Sequence, residues 1–456
     1  MTGSGAATLD LANFASTLKF EDIPAPVVDV VKSCLLDCLG VALAASSSDE
    51  SSSILYRAFS QDAGSSIVFG YGSRVSAPNA ALVNGGLVHA LNYDPIGENA
   101  GHLGVVCLAA PFALGETVDA TGKDLITSAV VACEVSARIT AALVGAGRRP
   151  SEKFLSGQLL SYFGASAGAA RMLNLDASAT QSALGLALMQ MSGSRQLSLS
   201  TGAPAKSIYG AFPNHGAVVS AMLARTGMDA RCDIFGEPAG LFDAIYGGGI
   251  ETSGIAVDLK QEYRLMDVQI KPWPSSNQTF LHIEAAISAT RQLGDRRDIV
   301  DIEVLADRKV ANWCEPFSSK SNPPNAAAAA NSIPFCVASA LARSVFDLDS
   351  FNDIGNDASL TRRLLARMRY TQADSSGVAR IIIRMANGDE VRSEASAQPT
   401  GTPIEEARLL TKFFNCCSRS VHPLSAANQR SVASMFLDLE NVQSIRDIAN
   451  LLEGRS

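Results

Sequence analysis

The chain has 456 residues, 47% hydrophobic and 18% charged, long enough for two or three domains and apolar enough for a sizeable core. Its 45 acidic and 37 basic residues give a formal net charge of -8 without a long run of either sign. A nucleic-acid-binding or polybasic membrane role therefore has no electrostatic footprint, and a small-molecule site is the default.

Nine cysteines form an odd set with no CxxC and no Cys/His cluster at zinc spacing, so reduced, mostly buried thiols in a reducing compartment are expected. Cys416 and Cys417 are adjacent, and sequence neighbours rarely reach disulfide geometry. Met1 to Leu11 shows no charged n-region followed by an apolar h-region, and the apolar runs break before the roughly 20 residues of a membrane span. The expectation is a soluble, cytoplasmic protein.

From Leu9 to about Asp267 the pattern is a string of amphipathic helices rich in Ala, Leu and Gly. The clearest runs over Val27 to Leu43, with Val27, Val31, Leu35 and Leu39 on one side and Asp29, Lys32 and Asp37 on the other. Further helices are predicted over 78–91, 108–116, 124–144, 161–173, 177–191 and 211–225, with Ser76-Ala77-Pro78 and Asp176-Ala177 as start signals. Small residues such as Gly164-Ala165 and Gly168-Ala169-Ala170 allow close helix approach.

After about residue 268 the period changes. Asp298 to Ala306 alternates as a strand, and Asn387-Gly388 sits between two alternating runs within Val378 to Ala395, predicting a hairpin whose two turn residues both take positive φ. Helices over 279–293, 333–344 and 360–368 surround these strands, and 403–414 and 426–452 read as helical again. The fold class is mainly α: a large all-helical domain over 1–267, a smaller α+β domain over 268–402, and a C-terminal stretch, 403–456, that either returns to the first domain or extends the second.

Neither GxGxxG in Rossmann context, GxxxxGK[ST], HExxH nor a GxSxG elbow is present, which removes support for the corresponding chemistries. The five histidines, His89, His102, His215, His282 and His422, lie far apart in sequence, which argues against a dedicated metal site.

Several segments, in order, resemble the MmgE/PrpD family of 2-methylcitrate dehydratases, cis-aconitate decarboxylases and related epimerases. They are LANFASTLKFEDIPAPVVDVVKSCLLDCLGVALA from Leu11, SIVFGYGSRVSAPNAALVNGGLVHALNYD from Ser66, FGASAGAARMLNLDASATQSALGLALMQMSG from Phe163, the Lys206 region, IKPWPSSNQTFLHIEAAI from Ile270, ANSIPFCVASAL and the GTP at Gly401. The resemblance implies a helical body with an α+β lid, a homodimer, an interdomain cleft and a reaction without metal or other cofactor. A proton is removed next to a carboxylate of a small organic acid, and water or carbon dioxide leaves, or the proton returns on the other face.

The family's acidic run followed by a His six residues after its Thr corresponds to Asn92-Tyr93-Asp94-Pro95-Ile96 and His102. His102 is the implied general acid or base, because imidazole titrates near neutrality. Asp94 would orient it or bind water; its competing reading is a helix-end cap beside Pro95. Lys206 matches the lysine that meets a substrate carboxylate, against the alternative of a solvated surface lysine. Tyr209 takes the place of a frequent His and can still donate a hydrogen bond.

The sequence departs from the family where a cleft histidine becomes Leu155. It also departs at the segment after Lys271, where Ser275, Ser276 and Phe280 replace cysteines and a histidine. His282 is expected to be a packed or surface residue. Asn92, Tyr93, Ile96, Leu155, Tyr209, Lys271, Ser275, Ser276 and Phe280 are thus the implied substrate-binding positions, in a site more apolar than the family's. That points to an alkyl-substituted or natural-product-derived acid, as in secondary metabolism. The alternatives are cis-aconitate or 2-methylcitrate itself, and a non-catalytic ligand-binding homologue.

Overall fold

A computed structural model describes residues 4–148, 153–199, 204–373, 377–396 and 404–454. Gly401 and its neighbours lie outside them. The chain is mainly α and falls into two compact units, one of Met1–Leu197, Ala205–Ile270 and Thr400–Ser456, the other of Ser198–Pro204 and Lys271–Pro399.

In the first unit the Ala25–Ser48 helix is the clearest case of sequence forcing structure. Pro26 sits in its first turn, where a missing N–H costs nothing. Its apolar side packs as expected, but Lys32 and Asp37, read as its polar side, are buried too. The Glu406–Cys417, Ala426–Leu437, Ala77–Ala90 and Gly122–Gly145 helices pack around it and leave only its first turns, with Asp29, and its C-terminal end exposed. Each buried charge has therefore acquired a partner from the C-terminal stretch: Lys32 meets Glu440 at 2.9 Å and Asp37 meets Lys412 at 2.7 Å.

The Gly122–Gly145 helix starts with a reciprocal cap, Thr121 and Asp124 each accepting the other's backbone N–H. Contrary to the expectation that every apolar run is too short, this one helix is long and apolar enough to cross a membrane; 89% of its apolar window is buried inside the unit, the signature of a core helix. The remaining predicted helices stand within a few residues of expectation, Ala211–Arg225 with both ends as predicted. Asp176 caps its helix through Ala179 N, whereas Ser76 makes no side-chain cap. The 426–452 stretch breaks into Ala426–Leu437 and Ile445–Leu452, because Ser444 starts a new helix by accepting from Arg446 N. All nine cysteines are free, and only Cys232 is exposed.

The second unit is a four-stranded sheet in the order Met368–Gln372, Ile299–Ala306, Val378–Met385, Glu390–Ser396, parallel at the first pairing and antiparallel at the other two. Ile302, Val304, Ile381 and Ile383 face a core shared with the Phe280–Ala289 and Ile333–Arg343 helices. The first strand corrects the helix expected over 360–368. That helix ends at Leu365, because Met368 is buried by pairing with Ile302, and Leu364, Leu365 and Met368 satisfy either period. The hairpin is present, but only Gly388 takes positive φ, 93°. Gly388 N and Asp389 O both bond to Met385, which makes a three-residue loop rather than the two-residue turn predicted.

Candidate active site

The loop after the Ala77–Ala90 helix is built to return on itself. Asn92 adopts φ 50°, a left-handed conformation that asparagine tolerates, and this turns Tyr93 and Asp94 out of the helical path. Ile96 and Gly97 then pair antiparallel with Gln269 and Val268, and Gly97 and Gly101 exchange both backbone hydrogen bonds. Gly104 closes the loop by donating to Pro95 O. A Cβ at 104 would stand 2.7 Å from Asp94 Cβ and from Pro95 Cδ, so no larger residue fits between the arms.

This path brings His102 back over Asp94. The Asp94 side chain is fully buried; one oxygen lies 3.1 Å from His89 Nδ1 and the other 3.3 Å from His102 Nδ1. An ionised carboxylate only accepts, so each imidazole presents Nδ1–H to it, and neutral His102 keeps its lone pair on Nε2. The helix-cap reading of Asp94 is thereby replaced by a carboxylate shared between two imidazoles. The His102 side chain is 22% exposed and His89 nearly buried. Their rings meet edge to face at 5.1 Å.

Tyr209 lies over His89 with ring centroids 3.8 Å apart, and 6.0 Å from His102. Burial, with the Asp94 charge second, pushes its hydroxyl well above the ordinary tyrosine range, so it stays protonated and able to donate. Lys206, half-buried, sits in the Pro204–Ile208 turn that delivers Tyr209, whose N–H bonds to Lys206 O. A Cβ at Gly157 would stand 2.3 Å from the Tyr209 hydroxyl, which puts the Ser156–Leu159 turn, flanked by half-buried Leu155, against the same tyrosine.

Behind the loop lies a buried cation. Lys412 Nζ donates to Tyr93 O at 2.9 Å, stands 3.6 Å from the centre of the Tyr93 ring and meets Asp37 at 2.7 Å. Neither Asp37 oxygen accepts an aligned hydrogen bond, so the contact is an ion pair. Burial pushes Asp37 up to about 6 although Lys412 pulls the other way.

Of the implied positions, then, Asn92, Tyr93, Asp94, His102 and Tyr209 come together, and Ile96 is half-buried in the loop's short strand. Four belong to the second unit. There Lys271 is fully buried; the Ser275 hydroxyl lies 2.8 Å from that of Thr279; Ser276 N donates to Ala330 O; and Phe280 packs edge to face on Trp273. His282 is packed, its Nε2 3.2 Å from Leu305 O, and burial lowers it to about 4.

Sequence reasoning missed His89, Lys412 and Asp37. His89 stood inside a segment already singled out, five residues before Asp94. Lys412 carried a subtler signal: it shares one helix face with Leu409, Phe413 and Cys416, where a charge requires a buried partner. His89, Asp94 and His102, scattered in sequence, offer potential ligand atoms within 4.8 Å of one another. A cavity of about 450 Å³ in the same unit lies elsewhere, lined by Arg138, Glu251, Ser253 and Arg264 among others. Arg138 is committed there to Glu134 and to the carbonyls of Ile255, Val257 and Glu262.

Residues 9–252 match the MmgE/PrpD N-terminal domain and residues 273–438 the MmgE/PrpD C-terminal domain. The chain is 23% identical to the cis-aconitate decarboxylase-like protein oryM of Aspergillus oryzae, over 99% of this chain and 98% of that protein. It is 27% identical to the cis-aconitate decarboxylase of Aspergillus terreus, over 53% of this chain and 49% of that enzyme. With both domains matched in order along most of its length, the chain belongs to the MmgE/PrpD family.

Proposed function

We propose that this protein is a metal-independent lyase or isomerase in which His102 moves a proton next to a carboxylate or carbonyl of an organic acid. The observation that carries the reading is the fully buried Asp94 held between His89 and His102, which fixes the His102 tautomer and leaves Nε2 basic in the neutral ring. In dehydration Nε2 abstracts the proton and the imidazolium so formed, stabilised by Asp94, gives it to the leaving hydroxyl; in isomerisation it returns it to the carbon once the carbanion has turned; in decarboxylation His102 starts as the imidazolium and gives a proton drawn from solvent to the carbon that carbon dioxide leaves. Lys206 holds a substrate carboxylate or enolate oxygen, and Asn92 and Tyr209 orient the acid.

Leu155 and Phe280 stand where the family resemblance puts imidazoles, and each charge-assisted hydrogen bond lost to a polycarboxylate removes about 1.5 to 3 kcal/mol. The substrate of choice is therefore an alkyl-substituted or natural-product-derived acid, processed by a cytoplasmic homodimer. A second reading takes cis-aconitate or 2-methylcitrate as substrate, and the names of the two relatives, a cis-aconitate decarboxylase and a cis-aconitate decarboxylase-like protein, favour the former.

Purified, chelator-treated protein assayed with cis-aconitate, 2-methylcitrate and their alkyl-substituted analogues separates these readings. Preference for an analogue supports the first, and turnover of the unsubstituted acids at ordinary enzyme rates supports the second. A chelator-sensitive reaction would overturn the metal-independent mechanism. A purified dimer that turns over none of them, and whose ligand binding survives His102→Asn, is a binding protein instead.

A further inference from the structure

We infer that Lys412 is a positioning residue for the catalytic loop, holding Tyr93 so that Asp94 is presented to His102. The inference rests on the reading of His102 as the proton-transfer group. Lys412 lies 319 residues after Tyr93 in sequence, yet its ammonium donates to the Tyr93 carbonyl and sits under the Tyr93 ring. Tyr93 is the residue between Asn92, where the chain turns left-handed, and Asp94. The loop's other arm is held by Gly104 on Pro95, and Lys412 holds the first arm at Tyr93.

Stability alone gives no reason for a buried cation here. A buried ion pair is commonly replaceable by apolar residues of similar volume without loss of stability, so a merely structural Lys412 and Asp37 could be a methionine and a leucine. What an apolar pair cannot do is donate to the Tyr93 carbonyl or hold a positive charge under the ring. Asp37, 2.7 Å from the ammonium, then has the subordinate task of keeping it in place.

The test is the double variant Lys412→Met with Asp37→Leu. Its readouts are thermal melting, the imidazole nitrogen spectrum of histidine-labelled protein with His102 assigned by His102→Asn, and kcat and KM on whichever acid the wild type turns over. The expected result is melting close to the wild type, loss of the Nδ1–H preference of His102, and a kcat lowered at least tenfold with KM within about threefold. A variant that melts like the wild type and keeps both the His102 spectrum and kcat overturns the inference. Should this variant fail to fold, Lys412→Gln with Asp37→Asn, which keeps volume and polarity but not the ammonium, replaces it. The same loss, smaller, is expected there, and an unchanged His102 spectrum overturns the inference equally. The spectrum needs no substrate, so a protein inactive on every acid tried still decides the role of Lys412, while an unchanged spectrum in an active enzyme leaves the proton-transfer reading standing.

Discussion

The two units handle charge in opposite ways. In the helical unit two of the three charged groups of the Ala25–Ser48 helix are taken into the core and paired at long range, Lys32 with Glu440 and Asp37 with Lys412. In the α+β unit, fully buried Lys271 aside, a ladder of charges stands on the open face of the sheet, where Arg369 bridges Asp301 and Glu303 and Arg384 bridges Asp301 and Glu390, while the other face is aliphatic. The same residue types thus do different jobs. Buried, they pair across the core, and one of them, Lys412, reaches the backbone of the loop that carries His102; exposed, they bridge neighbouring strands on a sheet face.

The sharpest way to break the contrast is at the loop itself. His102→Asn, which keeps size and polarity, is expected to lower kcat by about 10² to 10⁴ with melting unchanged, because it removes the proton carrier and nothing from the core. An active variant in the assay above would strip the buried network of its catalytic purpose.

Next in size is the stranded charge. Lys412→Met alone leaves Asp37 buried without its cation and is expected to cost about 3 to 5 kcal/mol in denaturant unfolding. Adding Asp37→Leu should restore most of that. A single variant as stable as the double would mean that Asp37 finds another partner.

The units should also differ in the sign of their pH dependence. His282 in the α+β unit has its value lowered from 6.5 to about 4 by burial, so its neutral form is favoured in the fold. Its contribution is intact above 6.5 and is lost as the pH falls toward 4, up to about 3 kcal/mol, because the unfolded chain takes up the proton first. In the helical unit burial raises Asp37 to about 6 and Glu116 to about 7. Their contribution is greatest below the ordinary carboxylate range and is lost as the pH rises through 6 to 7. Comparing His282→Leu with wild type between pH 4 and 8 isolates the first term: the variant should lose stability less on acidification.

The smallest effect belongs to the exposed ladder. Arg369→Ala should cost less than about 1 kcal/mol, and the difference should shrink further in high salt.

Legibility in the sequence followed the same division. The α+β unit announced its two long antiparallel strands through period-two alternation, since one face of each is solvated. Its short parallel strand from Met368 was misread because Leu364, Leu365 and Met368 fit a helix as well as a strand. In the helical unit the helices were legible but their polar sides were not. Lys32 and Asp37 have the spacing of a solvated face, and only the C-terminal stretch folding over them reveals that they are buried. For the site, the family resemblance led to Asn92, Tyr93, Asp94, His102 and Tyr209, which come together around one loop. It gave no hint of Lys412, whose apolar helix face shows that it needs a buried partner but not that the partner lies 319 residues away.

That long span also dictates an order of events during synthesis. Tyr93 leaves the ribosome long before the Glu406–Cys417 helix exists, and at about 5 to 20 residues per second the wait is some tens of seconds. Through that interval Asp37 lacks the Lys412 cation and the Tyr93 carbonyl lacks its ammonium donor, so the first arm of the loop is completed only when the C-terminal helix arrives. On the reading proposed for Lys412, the setting of the loop waits for the final stretch of polypeptide, and a chain truncated ahead of residue 412 is expected to lose the Nδ1–H preference of His102.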